Sequence, residues 1–182
     1  MPIIATAGSD SQTRTPAPEG AHQAVCVDVI DKGMVESKSF DGKPPKKQHK
    51  VTIAWQIDEL RDDGKRHVIY RMYTLSLHEK ATLRKDLESW RGKKFTRDEE
   101  MGFDVETVIG ANCIINVQHN PVGDKVYANV ASVMPLMKGM PKIAAVGYVR
   151  EEAGQSNGHD DSGAQHEEHE YVAPITEDDI PF

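Results

Sequence analysis

The sequence predicts an all-β domain with one main helix, followed by an acidic segment that does not join the core. Three observations predict it. Apolar residues alternate with polar ones in short stretches, the period of a half-buried strand. That period switches to a helical one between the third and fourth such stretch. Glycine, proline and aspartate mark turns at the junctions.

Residues 1–19, rich in Ser, Thr, Ala and Pro, read as a disordered leader. Ala24 to Ile30 is β-branched and gives a first strand ending near Gly33, which Met34 to Phe40 continues after a bend. A polar basic loop follows, with Lys43, Lys46, Lys47 and Lys50 around Pro44 and Pro45. Val51, Ile53, Trp55 and Ile57 alternate with Thr52, Ala54 and Gln56 in a second strand. Asp63-Gly64 suits a hairpin turn. The third strand runs Arg66 to Leu75, with Val68, Tyr70, Met72 and Thr74 on one side and Ile69, Arg71 and Tyr73 on the other.

Ser76-Leu77-His78-Glu79 has the spacing of a capping box, with Ser76 as N-cap. Leu83, Leu87 and Trp90 then recur at helical intervals until Gly92. Thr96 to Glu99 is a second capping box, and Asp104 to Gly110 a further short helical turn. Cys113 to Val117 forms a fourth strand, Asn120 to Asp124 a turn, and Val126 to Val133 a fifth strand. Beyond Pro135 the pattern fades. Three strands, a helix and two strands is the order of the oligonucleotide-binding (OB) fold, a five-stranded barrel with its helix between strands three and four. SH3-like and other small barrels share that order. The domain reading is a leader over 1–19, an OB-fold domain over 20–146 and a disordered acidic tail over 147–182.

Length and charge sharpen this. The 182 residues are 38% hydrophobic, and the central 125 or so are the ones patterned to form a core. All 22 lysines and arginines precede residue 151, against 19 of the 29 acidic residues, a balance of +3. Residues 151–182 carry the remaining 10 acids and no lysine or arginine, a balance of −10. An acidic tail on a mildly basic body is a distinct architecture. No run of eighteen apolar residues offers a membrane span, and Met1 to Gly20 lacks the basic start and apolar centre of a secretory signal. Cys26 and Cys113 sit in strand-like runs as reduced core residues. A cytoplasmic protein is expected.

The last residues, Asp178-Asp179-Ile180-Pro181-Phe182, resemble the terminal peptide of bacterial single-stranded-DNA-binding proteins. What the resemblance implies is a docking handle for host or phage replication and repair proteins. The chemistry agrees: Phe182 is an aromatic anchor, Pro181 stiffens the peptide, and Asp178 and Asp179 attract basic partners. The segment from Tyr73 to Thr96, with Ser76-Leu77-His78-Glu79-Lys80 and Trp90-Arg91-Gly92, is similar to short phage and prophage proteins taken to be OB-fold single-strand binders. The body does not align with the standard bacterial family, so that family's tetramer is not carried over and the oligomeric state stays open.

Sequence-independent binding of single-stranded DNA needs cations that track phosphates and aromatic faces on which bases stack. The candidate cations are Lys43, Lys46, Lys47, Lys50, Arg66 and Arg71; the candidate aromatics are Trp55, Tyr70, Tyr73 and Tyr127. Trp55 shares parity with Val51, Ile53 and Ile57, and Tyr70 with Val68 and Met72, so both have a core assignment competing with a stacking one. Tyr73, alternating with Arg71 on the other side, is the preferred stacking residue.

An enzyme is not expected. His166 and His169 flank Glu167-Glu168 in the tail, but a disordered segment holds no catalytic geometry, and the other histidines lack ligand spacing. No phosphate-cradling glycine loop or nucleophile elbow appears, and no cofactor or metal is called for. Two other functions compete: an adaptor whose barrel binds protein, and a mediator of single-strand annealing.

Overall fold

Strands form here wherever apolar residues alternate between turn residues, and the computed structural model describes them over residues 15–36 and 44–150. In chain order they are β1 (Gly20–Glu36), β2 (Lys47–Leu60), β3 (Arg66–Thr74), α1 (Thr82–Arg91), α2 (Arg97–Met101), a 3-10 turn (Val105–Val108), β4 (Asn112–Val122) and β5 (Lys125–Pro135). All five strands join one antiparallel sheet in the order β3-β2-β1-β4-β5. The central β1 pairs with β4 through its first residues, Gly20–Val25, and with β2 over most of its length. The sheet curls until its outer strands approach, where the Arg71 guanidinium on β3 donates to the Ala131 carbonyl of β5 at 3.2 Å. The architecture is therefore barrel-like and mostly β.

The inner face carries Val51, Ile53, Trp55, Ile57, Ile69 and Tyr73, packed with Val117, Val130 and Val133. Helix α1 closes one end by inserting Leu83, Leu87 and Trp90, the residues its period marked. Burial of each such side chain contributes about 1.5–3 kcal/mol. The Trp90 indole N–H donates to the Asn112 carbonyl at 3.0 Å, tying the helix to the start of β4. Cys26 and Cys113 are buried free thiols. Burial pushes the Cys26 thiol up to about 12 and the Cys113 thiol higher still.

Turn chemistry acts as the sequence predicts at two positions that need positive φ. Gly64 (φ 75°) turns β2 into β3, and Gly92 (φ 66°) ends α1 in the left-handed conformation. Thr96 forms its capping box: its hydroxyl accepts from the Glu99 N–H at 3.3 Å and Glu99 accepts from the Thr96 N–H at 3.0 Å. Ser76 does not cap the main helix. The β2–β3 ladder still holds Leu75, whose N–H donates to the His49 carbonyl at 2.7 Å, so Ser76 is too close to the strand end. Its hydroxyl instead accepts from the His78 N–H in a turn, and α1 begins after Ala81 without a side-chain cap.

The folded unit is also longer than its pattern. Ala17 is buried, and Glu19 accepts from the His119 N–H at 2.8 Å. Residues 141–150, read as featureless or as tail, lie across the outer face of β1, β2 and β3. Among the described residues, no helix is long and apolar enough to cross a membrane.

Candidate nucleic-acid interface

The faces of β3 are the reverse of the ones the stacking assignment needs. Tyr73 is only 2% exposed and Trp55 fully buried, their rings edge-to-face at a centroid distance of 6.5 Å. Both are core residues, which corrects the choice of Tyr73 as the preferred stacking face and removes Trp55 as a platform. The Tyr73 hydroxyl donates to Asp86 on α1 at 2.8 Å, and Arg71 donates to the same carboxylate oxygen at 2.8 Å. Arg71 thus ties β3 to α1 and β5 and is not presented to phosphates. Burial raises the Asp86 carboxyl, against the pull of Arg71 and Tyr73. It raises the Tyr73 phenol well above its ordinary value.

Tyr70 has the opposite fate. It points outward with Val68 and Met72 and is 42% exposed. On the adjacent strand, Lys50 is buried with its ammonium on the Thr74 hydroxyl at 2.9 Å. Lys46 and Lys47 lie exposed where the β1–β2 arm enters β2. The base of that arm is braced by His49, 2.6 Å from Asp31. The Gly33 N–H and then His49 hold the Asp31 carboxyl below its usual range. Tyr127 is partly buried on the β4–β5 hairpin, opposite Asn120. Arg66 is engaged, in an ion pair with Asp58 at 2.6 Å and donating to the Ala144 carbonyl at 2.8 Å. Lys43 and the peptide Asp178, Asp179, Ile180, Pro181 and Phe182 lie outside the described residues, as does Phe40.

The outer face therefore exposes Tyr70 and Met72 and buries Lys50, which corrects its assignment to phosphates, while Lys46 and Lys47 lie exposed further along the β1–β2 arm, beyond the Ala54 that pairs with Tyr70. The rest of that face is occupied by the chain's own 141–150 strap. Two amide side chains hold the strap's backbone by paired bonds. Asn112 donates to the Ile143 carbonyl at 3.0 Å and accepts from its N–H at 2.8 Å. Gln56 does the same for Val146, at 2.8 Å and 2.7 Å. Beneath the strap lie Val25, Val27, Ala54 and Val68, packed with Ile143 and Tyr148.

At the strap's end a carboxylate with no solvent exposure, Asp28, accepts from the Tyr148 hydroxyl at 3.1 Å and from Arg150 Nε at 3.0 Å. Tyr148 also hydrogen-bonds Tyr70. Arg150 reaches Glu106 as well, at 2.9 Å. Asp28, Tyr148 and Arg150 went unnoticed in the sequence, although Asp28 is a lone charge inside the run Val25 to Ile30. A charge there needs a partner from elsewhere in the fold.

Among the described residues no cluster of His, Cys, Asp and Glu is placed to hold a metal ion. What the face offers is stacking, hydrogen bonding and cationic attraction. Compared with known proteins, the chain matches no family model and no curated protein.

Proposed function

We propose that this chain binds single-stranded DNA without sequence preference on an OB-fold barrel, while the acidic segment ending Asp178-Asp179-Ile180-Pro181-Phe182 recruits DNA-processing proteins. The strand order, with the main helix between strands three and four, supports an OB fold. In that fold the surface of strands two and three and the adjoining loops bind oligonucleotides. The observation that carries the reading is Tyr70, an exposed aromatic on the outer face of β3 with Lys46 and Lys47 on the neighbouring arm. An exposed ring for bases, with exposed cations for phosphates further along the same strand pair, is the minimal equipment for non-specific single-strand binding. The likeness of the C-terminal peptide to that of bacterial single-stranded-DNA-binding proteins supports work in replication, recombination or repair. A bacterial cytoplasm and a phage or prophage origin fit that likeness. The role is sequestration and recruitment; no catalysis is proposed.

Titration of labelled oligo-dT tests the reading. Binding in the micromolar range or tighter, weakening steeply with salt, is the expected result. Tyr70→Ala should cost about 1–3 kcal/mol of affinity, one lost base stack. Phe182→Ala should leave oligonucleotide affinity unchanged and abolish partner capture. No binding at low salt, even with residues 151–182 removed, would exclude the DNA reading.

That outcome would favour an adaptor, for which one observation speaks: the outer face already holds an extended peptide by its backbone. Acceleration of duplex formation would instead identify an annealing mediator.

A further inference from the structure

The strap is held more firmly than a connection needs to be. Its backbone is gripped at Ile143 and Val146 by amide pairs, and at Pro141 and Ala144 by Gln23 and Arg66. Its last anchor is a carboxylate buried completely among apolar side chains. Burying a charge there is costly unless it is paired and fully hydrogen-bonded. Asp28 meets that condition with the Val29 N–H at 2.9 Å, the Tyr148 hydroxyl and the Arg150 guanidinium. The result is a strap tyrosine set beside Tyr70, hydroxyl to hydroxyl, with an arginine of half-exposed side chain two residues on.

We propose that Tyr148 is a second base-stacking residue, so that the strap completes the single-strand interface of β2 and β3 rather than obstructing it. Asp28 is the positioning residue that sets the ring there. The proposal rests on the single-strand reading above. A lone exposed aromatic gives one stacking step, whereas two partly exposed rings that meet at their hydroxyls give bases two stacking faces. Arg150, two residues beyond Tyr148, keeps a half-exposed side chain although it is paired with Asp28 and Glu106, so positive charge lies close to those faces. Lifting the strap would instead uncover the Asp28 carboxylate on the face that has to receive phosphates. A strap that stays closed during binding is therefore electrostatically favoured.

Photo-crosslinking of the unaltered full chain to oligo-dT carrying 5-iodouracil is the direct test, with peptides mapped by mass spectrometry. Crosslinks at both Tyr70 and Tyr148 are expected. Crosslinks at Tyr70 without Tyr148 would overturn the proposal and leave the single-strand reading standing, whereas no oligo-dT binding by the unaltered chain would overturn both. Asp28→Asn keeps the shape but loses the ion pair. It should lower the Tyr148 crosslink relative to the Tyr70 crosslink; an unchanged ratio would remove Asp28's positioning role.

Affinity supplies an independent readout. Tyr148→Leu should weaken oligo-dT roughly tenfold, the scale of one lost stack, while leaving an abasic oligonucleotide of equal length unaffected. Tyr148→Phe, which keeps the ring, should stay within about threefold of the original for oligo-dT. Equal losses on oligo-dT and abasic strands would show that the ring does not stack.

Discussion

Tyr70 and Tyr73 stand three positions apart on one strand, so the pleat sends their rings to opposite faces. Tyr73 is a structural residue whose hydroxyl shares Asp86 with Arg71. Tyr73→Phe should lower stability by about 1–3 kcal/mol, measured by urea denaturation, and leave oligo-dT affinity unchanged. Replacing Arg71 and Tyr73 together with alanine tests the fold and not the groove, because it strips both partners from a partly buried carboxylate. His67 makes a pH prediction. It is buried on β3, and desolvation, then Arg61, lowers its pKa from the ordinary 6.5. The folded chain thus binds a proton there less readily than the unfolded one. Its contribution to stability is complete above pH 6.5 and is lost as pH falls through the folded value. Melting temperature should drop between pH 7 and 5, and His67→Gln should flatten that part of the profile. A profile of the same slope in the variant would assign the drop elsewhere.

At the scale of elements, two sequences with the same cap-like spacing behave differently. Thr96-Arg97-Asp98-Glu99 opens α2 with both reciprocal bonds in place. Glu99 is fixed further by Arg91, whose guanidinium also lies over the Phe95 ring at 4.6 Å. Ser76-Leu77-His78-Glu79 sits against the end of a strand and starts no helix. Thr96→Ala should therefore cost about 1 kcal/mol, and Ser76→Ala less than about half of that, by thermal or urea unfolding. Comparable losses would restore Ser76 as a cap. The β1–β2 arm illustrates the same dependence on context. The bulge between Cys26 and Asp28 shifts the register of β1 and leaves Asp28 packed beneath the strap instead of in the barrel core, and a second bulge between Asp31 and Gly33 shifts the arm again.

Across the whole molecule the charges are divided between a body of +3 and a segment of −10 beginning at residue 151. The two lie on one chain, and the negative segment follows directly after the strap that crosses the outer face. Removing residues 151–182 should raise oligo-dT affinity at low salt, with the difference shrinking as added salt screens the attraction. Equal affinities at low salt would show that the acidic segment does not compete. Titration in 20 mM and 200 mM salt is enough to separate these outcomes.

Local pattern alone determined the five strands, the helix built on Leu83, Leu87 and Trp90, the Thr96 cap and the turns at Gly64 and Gly92, since each depends on neighbours a few positions away. The division of charge at residue 151 was equally plain. Alternation also sorted β3 into its two sets, Tyr70 with Met72 and Tyr73 with Ile69. It left open which set faces the core, because parity carries no sign until a helix and a second sheet edge cover one side. That choice fell to α1 and β5, which claimed Tyr73 and Arg71 through Asp86 and Ala131. The strap was illegible for the same reason. Residues 141–150 form no helix and no ladder, and their partners Asp28, Gln56 and Asn112 lie 31 to 122 positions away. Only chain folding brings such groups within hydrogen-bonding distance.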